Sequence, residues 1–212
     1  ETVHLNVYTT PHGRNRIIDI IGDLGGFAFE DYDSECENSF ANENGDRYIT
    51  CLNADLTLSD PEYIVATPRG NWTGKTKGGL ILSKDCGSTW ERLPMPRGLS
   101  EFIDQKLDNI EKPNVDSGWT AISADGKRIM WAVAGGRGFS NKAVCYTDDE
   151  GKTWQKSIFM DSSGNSADEH NVKIFSDYYN SDLFFAIAER ENLGLYISRD
   201  KGATFREVSI KT

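Results

Sequence analysis

The apolar residues of this chain fall in short runs broken by polar turns, and almost nowhere do they take the three-and-four spacing of a helix. The runs read as strands. Val3–Thr9, Arg16–Gly22 and Phe27–Tyr32 come first, followed by a long polar stretch, Asp33–Arg47. A second group runs Tyr48–Ala54, Tyr63–Thr67, Gly79–Ser83 and Trp90–Leu93. A third runs Trp119–Ser123, Arg128–Ala134, Ala143–Tyr146 and Trp154–Phe159. The last runs Val172–Ser176, Leu183–Ala188, Gly194–Ile197 and Phe205–Ile210. A short helix is expected only around Ser100–Ile110, inside the long connection Pro94–Gly118.

One phrase recurs at the same place in the last three groups. Ser83 to Trp90, Thr147 to Trp154 and Ser198 to Phe205 all read S/T-x-D-x-G-x-T-W/F, and each copy follows a short apolar run. The Asp can accept backbone N–H bonds and the Gly accepts a positive φ, so each copy predicts a hairpin turn whose aromatic packs beneath it. The phrase resembles the Asp-box repeat of β-propellers. The fold expected is therefore all-β, built from about four blades of four antiparallel strands, as part of a seven-bladed propeller. The blades would span approximately residues 1–47, 48–96, 117–160 and 170–212. Asp boxes also occur in sialidases, sorting receptors and several glycanases, so the turn by itself names no function.

Composition narrows the partners. The net charge of −10 over 212 residues argues against nucleic acid and anionic membrane. No apolar run approaches the roughly 18–20 residues of a membrane span, and Glu1 opens no signal-peptide pattern, so a soluble chain is expected. The four cysteines fit no zinc spacing, and no metal or other cofactor is expected. Cys36 and Cys51 bracket a polar loop and could close it as a disulfide; a fully reduced set is the alternative.

Blade strands run up and down, which sorts their turns onto two faces. One face takes the short turns Thr10–Asn15, Leu56–Pro61, Ala124–Lys127, Asp177–Asp182 and the repeated phrase. The other takes Asp23–Gly26, Arg69–Gly78, Gly135–Lys142 and Arg190–Leu193, with the long links Pro94–Gly118 and Met160–Asn171. Long loops on a rigid frame usually carry the function, so the second face is the working one. Its candidates are Asp23, Arg69, Trp72, Lys75, Arg137, Phe139, His170 and Arg190. Trp72 is flanked by glycines and polar residues, as expected of a platform that stacks on a pyranose ring.

The order of motifs is more specific than the turn. Ile21-Gly22-Asp23-Leu24-Gly25-Gly26-Phe27, then Gly78 to Ser83 leading into the repeated phrase, then Ala121 to Lys127 before Met130-Trp131, resembles the second half of family-74 glycoside hydrolases. Those are secreted xyloglucan-cleaving enzymes with two seven-bladed propellers around an open cleft. The resemblance implies recognition of xyloglucan or another β-glucan, inverting endo-β-1,4-glucanase chemistry in a parent protein, and a general-acid role for Asp23. It also implies an extracellular protein, with another propeller domain or chain completing the cleft. Arg69, Trp72, Lys75, Arg137 and Phe139 are the substrate-binding candidates. Inverting hydrolysis needs two carboxyl groups roughly 6.5–9.5 Å apart. The chain holds no second Asp-x-Gly-Gly, so alone it should bind glycan and hydrolyse little. Two other classes stay open: a non-catalytic carbohydrate-binding module, and a protein-binding propeller of sorting-receptor type. The scattered Arg69, Arg137 and Arg190 make only a weak version of a sialidase arginine cluster.

Overall fold

The computed structural model describes residues 3–10, 12–33, 35–36, 38–97, 117–133, 143–167, 171–188 and 194–208. Those residues form four antiparallel sheets in chain order. The first holds β1 (Val3–Thr9), β2 (Ile17–Gly22), β3 (Gly25–Phe29) and β4 (Asn38–Ser39). The second holds β5 (Cys51–Leu56), β6 (Ile64–Pro68), β7 (Ile81–Ser83) and β8 (Glu91–Arg92). The third holds β9 (Trp119–Ile122), β10 (Ile129–Val133), β11 (Ala143–Thr147) and β12 (Gln155–Lys156). The fourth holds β14 (Val172–Ser176), β15 (Phe184–Ala188), β16 (Gly194–Ser198) and β17 (Thr204–Glu207). It gains a fifth strand, β13 (Ile158–Met160), which pairs parallel to β17.

The expected strands are present, with two informative differences. The expected single strand Trp154–Phe159 divides at Ser157, whose N–H bonds back to Val144 while its hydroxyl donates to Gly202 of the next sheet. Its second half thus joins the fourth sheet as β13. β3 starts within the glycines, at Gly25, and stops at Phe29. The helix expected at 100–110 lies outside the described residues.

Each of the three repeated turns closes through one hydrogen-bond pattern. In the first, the Ser83 hydroxyl donates to Asp85 Oδ1 at 2.8 Å, the Gly87 N–H donates to Ser83 Oγ, and Thr89 donates its N–H and hydroxyl to the two Asp85 oxygens. Thr147, Asp149, Gly151 and Thr153 repeat all four bonds. Ser198, Asp200, Gly202 and Thr204 repeat the bonds of the first Ser, the Gly and the Thr N–H. In Asp149 the bonds from Thr153 and Thr147 hold the carboxyl below the usual carboxylate range. The closing aromatics Trp90, Trp154 and Phe205 are buried, as expected.

The sheets stack face to face, and the core lies in the three seams between them. Ile18, Ile20 and Ala28 meet Ala54, Ile64, Ala66 and Ile81 in the first seam. Val65, Leu80 and Leu82 meet Ile129, Trp131 and Cys145 in the second. Met130, Ala132, Val144 and Tyr146 meet Phe184, Ala186, Tyr196 and Phe205 in the third. This explains why β6 and β10 read as unbroken apolar runs: both of their faces are buried. The sheets do not close into a ring.

All four cysteines are free thiols, so the Cys36–Cys51 bridge is not formed. Cys36 Sγ donates to the carbonyls of Ala28 and Asn38 beside β3, whereas Cys51 is buried at the start of β5 and bonds to Asn53 O. Burial pushes the Cys51 and Cys145 thiols up to about 12.

Polar side chains stitch the innermost strands, where no backbone ladder joins neighbouring sheets. The Thr120 N–H of β9 donates to Asn53 Oδ1 of β5 at 2.7 Å. Asp55 Oδ2 accepts the Ile122 N–H at 2.9 Å and the Ser176 hydroxyl of β14 at 2.8 Å, while Oδ1 accepts the Leu56 N–H. One carboxylate therefore ties three sheets. Burial pushes it up to about 6, against the pull of those three bonds. A carboxyl raised in the folded state stabilises the fold fully below its unfolded value near 4, and that contribution is lost as pH rises through about 6. Asp55 should thus make the protein more stable at pH 5 than at pH 7, by about 1 kcal/mol. Urea midpoints at the two pH values, compared between the wild type and Asp55→Asn, measure this. An unchanged pH dependence in the variant would assign the effect to other groups.

Candidate functional site

β2 delivers the chain to the edge that carries the expected working loops. It ends at Gly22, and the turn Asp23–Leu24 returns the chain into β3. Asp23 sits at φ 65°, a left-handed conformation that Asp tolerates better than most residues. Its N–H donates to Thr50 Oγ1 at 3.1 Å, and its side chain is exposed. The sequence left two reasons for the following glycine pair, a close ligand or the turn itself. The packing gives a third. A Cβ on Gly25 would stand 2.8 Å from Tyr48 O, and one on Gly26 would stand 2.7 Å from Asp19 O and 2.9 Å from the Phe40 ring. Gly25 also takes φ 78°, as the turn reading expects, so the turn and the chain's own packing together account for both glycines.

Thr50 is the junction of this edge. Besides accepting from Asp23, it pairs with Gly25 as an isolated parallel bridge, and its carbonyl accepts the Arg69 N–H at 2.7 Å. Asp23 and Arg69, distant in sequence, are thereby brought to one point. The next turn carries Trp72 and Lys75. Asn71 shapes it: Asn71 Oδ1 accepts the Thr73 hydroxyl and the Thr76 N–H, and the Asn71 N–H donates to Thr76 O. Thr76 then docks the turn on the loop 42–46, accepting from Asn42 Nδ2 and donating to Asp46 O. Lys75 Nζ stands 3.8 Å from Asp46. The Trp72 ring, 68% exposed, belongs to no packed cluster of the described residues. A platform ring on a turn whose base is fixed can stack on an apolar ring face without ordering further chain.

Asp23, Arg69, Trp72 and Lys75 thus lie on connected loops of one edge. Arg137, Phe139, His170 and Arg190 lie outside the described residues. Asp19 lies inside β2, buried on the sheet, whereas Asp23 is exposed in the turn beyond its end. Asp31 and Asp33 follow the far end of β3, in an exposed loop. None of these three is bonded to Asp23 among the described residues, and Asp19 is engaged with His4. Among the described residues, no three His, Cys, Asp or Glu side chains gather into a metal-holding group. No described helix is long and apolar enough to cross a membrane.

Two buried carboxylates were not among the sequence candidates. Asp55 borders a cavity of about 360 Å³ between the innermost strands, walled by Tyr8, Trp119, Phe175 and Tyr178. Its two oxygens are spent on the stitches already described. Asp19 is buried on the outer side of the first sheet with His4 Nδ1 at 2.7 Å; burial raises its carboxyl, and His4 opposes the rise. The available signal was a charged residue inside each apolar run, Ile17–Ile21 and Cys51–Leu56.

No protein-family model and no curated protein matches the chain. Solved structures do. The GH74 xyloglucanase of Xanthomonas campestris superposes on the whole chain with a TM-score of 0.69 at 21% identity, using 25% of its own length. The GH74 enzyme of Niastella koreensis does so with a TM-score of 0.65 at 19% identity, using 24% of its length. The Malassezia sympodialis allergen Mala s 1 covers the whole chain with a TM-score of 0.50 at 8% identity. The chain spans about a quarter of the length of the two GH74 enzymes, and it shares their β-propeller fold as four sheets that do not close a ring.

Proposed function

We propose that this chain is a carbohydrate-recognising propeller segment that binds plant β-glucan, with xyloglucan as the first ligand to test. The observation that carries the reading is Trp72, a solvent-facing ring on a turn pinned by Asn71 and Thr76, on the same edge as Asp23, Arg69 and Lys75. Trp72 stacks on a pyranose face, and Arg69 and Lys75 orient hydroxyls. Arg137 and Phe139 are kept as further substrate-binding candidates from the sequence. The four sheets are read as blades over about residues 1–47, 48–96, 117–160 and 170–212, with the repeated turns as Asp boxes. The setting is extracellular.

In a complete cleft Asp23 serves as the general acid of an inverting endo-β-1,4-glucanase, and the base comes from another propeller domain or chain. An exposed turn position suits a group that must reach a glycosidic oxygen. The proton it delivers must be held near neutral pH, which a base-bearing partner closing over the turn supplies through burial and a second negative charge. Asp23 standing without that partner makes the isolated chain a binder.

Isothermal titration with xyloglucan oligosaccharides tests this directly. The wild-type chain should bind and release little reducing sugar. Trp72→Ala should weaken binding by about 1–3 kcal/mol while leaving the urea midpoint unchanged. Trp154→Ala should instead lower stability by about 3–5 kcal/mol, because it empties core volume. Asp23→Asn should bind as the wild type does. Absence of binding to every β-glucan tested sinks the proposal, and rapid hydrolysis that survives Asp23→Asn removes Asp23 from the chemistry.

A further inference from the structure

The cavity among the innermost strands is walled by all four sheets. Tyr8 comes from β1, Asp55 from β5, Trp119 from β9, Phe175 from β14 and Tyr178 from the turn that follows β14. It encloses about 360 Å³. Trp119 and Phe175 meet edge to face with ring centroids 6.0 Å apart, and the Tyr178 ring, 48% exposed, stands at the mouth.

The polar atoms of this wall are largely bonded to one another. Asn53 Oδ1 accepts the Thr120 N–H, and Asn53 Nδ2 donates to Ala54 O. The Tyr8 hydroxyl accepts the Ala54 N–H at 3.3 Å. The Thr120 hydroxyl donates to Met130 O, and the Ser176 hydroxyl donates to Asp55 Oδ2. Little hydrogen-bonding capacity is left for a sugar hydroxyl or a primary amine. Charge, however, is left over. The three donors to Asp55 are two backbone N–H groups and one hydroxyl, all neutral. No cation of the described residues acts on it, and the described lining holds neither Lys nor Arg. Burial pushes its carboxyl up to about 6, so it is largely ionised at about pH 7.5. A buried charge without a counter-charge costs stability, and a cation in the cavity lowers that cost.

The rings add attraction of the same sign, because an aromatic face carries negative potential. The chain itself uses the indole in this way: Lys173 Nζ stands 5.4 Å from the Trp119 ring centroid, although Lys173 is no part of the described lining. An anion is repelled by Asp55. A bare metal ion needs several oxygen or nitrogen ligands, and no such group of three gathers among the described residues.

We propose that this cavity binds a quaternary ammonium ion, held among Tyr8, Trp119, Phe175 and Tyr178 and neutralising Asp55. Such a cation has no N–H to satisfy. It asks only for ring faces and a negative charge, which is what this wall offers. The assignment does not depend on what Trp72 binds.

Isothermal titration with tetramethylammonium and choline chlorides, against matched sodium chloride at about pH 7.5, tests the site. Both cations should bind saturably. The neutral alcohol with carbon in place of the choline nitrogen should bind at least about tenfold more weakly. Tyr178→Leu should weaken choline binding by about threefold or more, and Asp55→Asn by about tenfold or more. Far-UV spectra and urea midpoints check that each variant folds, and Tyr178→Leu, altering an exposed ring, keeps the test open if Asp55→Asn does not. No saturable binding of either cation overturns the proposal. Equal binding of the neutral alcohol overturns it too, because the cavity would then select apolar bulk instead of charge. Full affinity in Tyr178→Leu, or in a folded Asp55→Asn, places the cation elsewhere on this acidic chain and overturns it as well.

Discussion

A four-stranded antiparallel sheet has two faces and cannot bury both by itself. Most of the structure follows from that constraint. Each sheet here takes its stability from its neighbours, so strands in the middle of the stack are apolar on both sides, and Trp131, Tyr196 and Phe205 are fully buried within seams instead of within any one sheet. The repeated turn serves the same end. By spending one carboxylate on the backbone and hydroxyls of its own loop, it holds the third and fourth strands of a sheet in register and frees the following aromatic to enter a seam.

The seams are apolar, but the innermost strands are held differently. There Asn53 and Asp55 supply acceptors that a neighbouring strand would otherwise have provided. Burying a carboxylate costs stability unless it is well bonded, and Asp55 receives three donors. The edge that carries Asp23, Arg69 and Trp72 is rigid because Thr50, just before β5, bonds to both flanking loops.

The fold was largely legible because its signals are local. Short apolar runs between polar turns marked the strands, and the Asp-Gly turn chemistry recurred three times at fixed offsets. What the sequence hid was set by contacts between distant residues. The division at Ser157 depends on Gly202 of the next sheet. The absence of a Cys36–Cys51 bridge depends on where the segment before β4 and the start of β5 place the two thiols. At the site, exposure of Trp72 followed from its glycine-rich, polar surroundings. The meeting of Asp23 with Arg69 did not, since it runs through the hydroxyl and carbonyl of Thr50, a residue with no signature of its own.

The glycine pair after Asp23 has a consequence for how such segments persist. Gly25 and Gly26 are required by Tyr48 and Phe40 of the same chain, whatever Asp23 does. Selection for folding alone would therefore keep most of the Gly-Asp-Leu-Gly-Gly-Phe string in a lineage that had given up hydrolysis. The string records an architecture, and its glycines by themselves carry no record of chemistry.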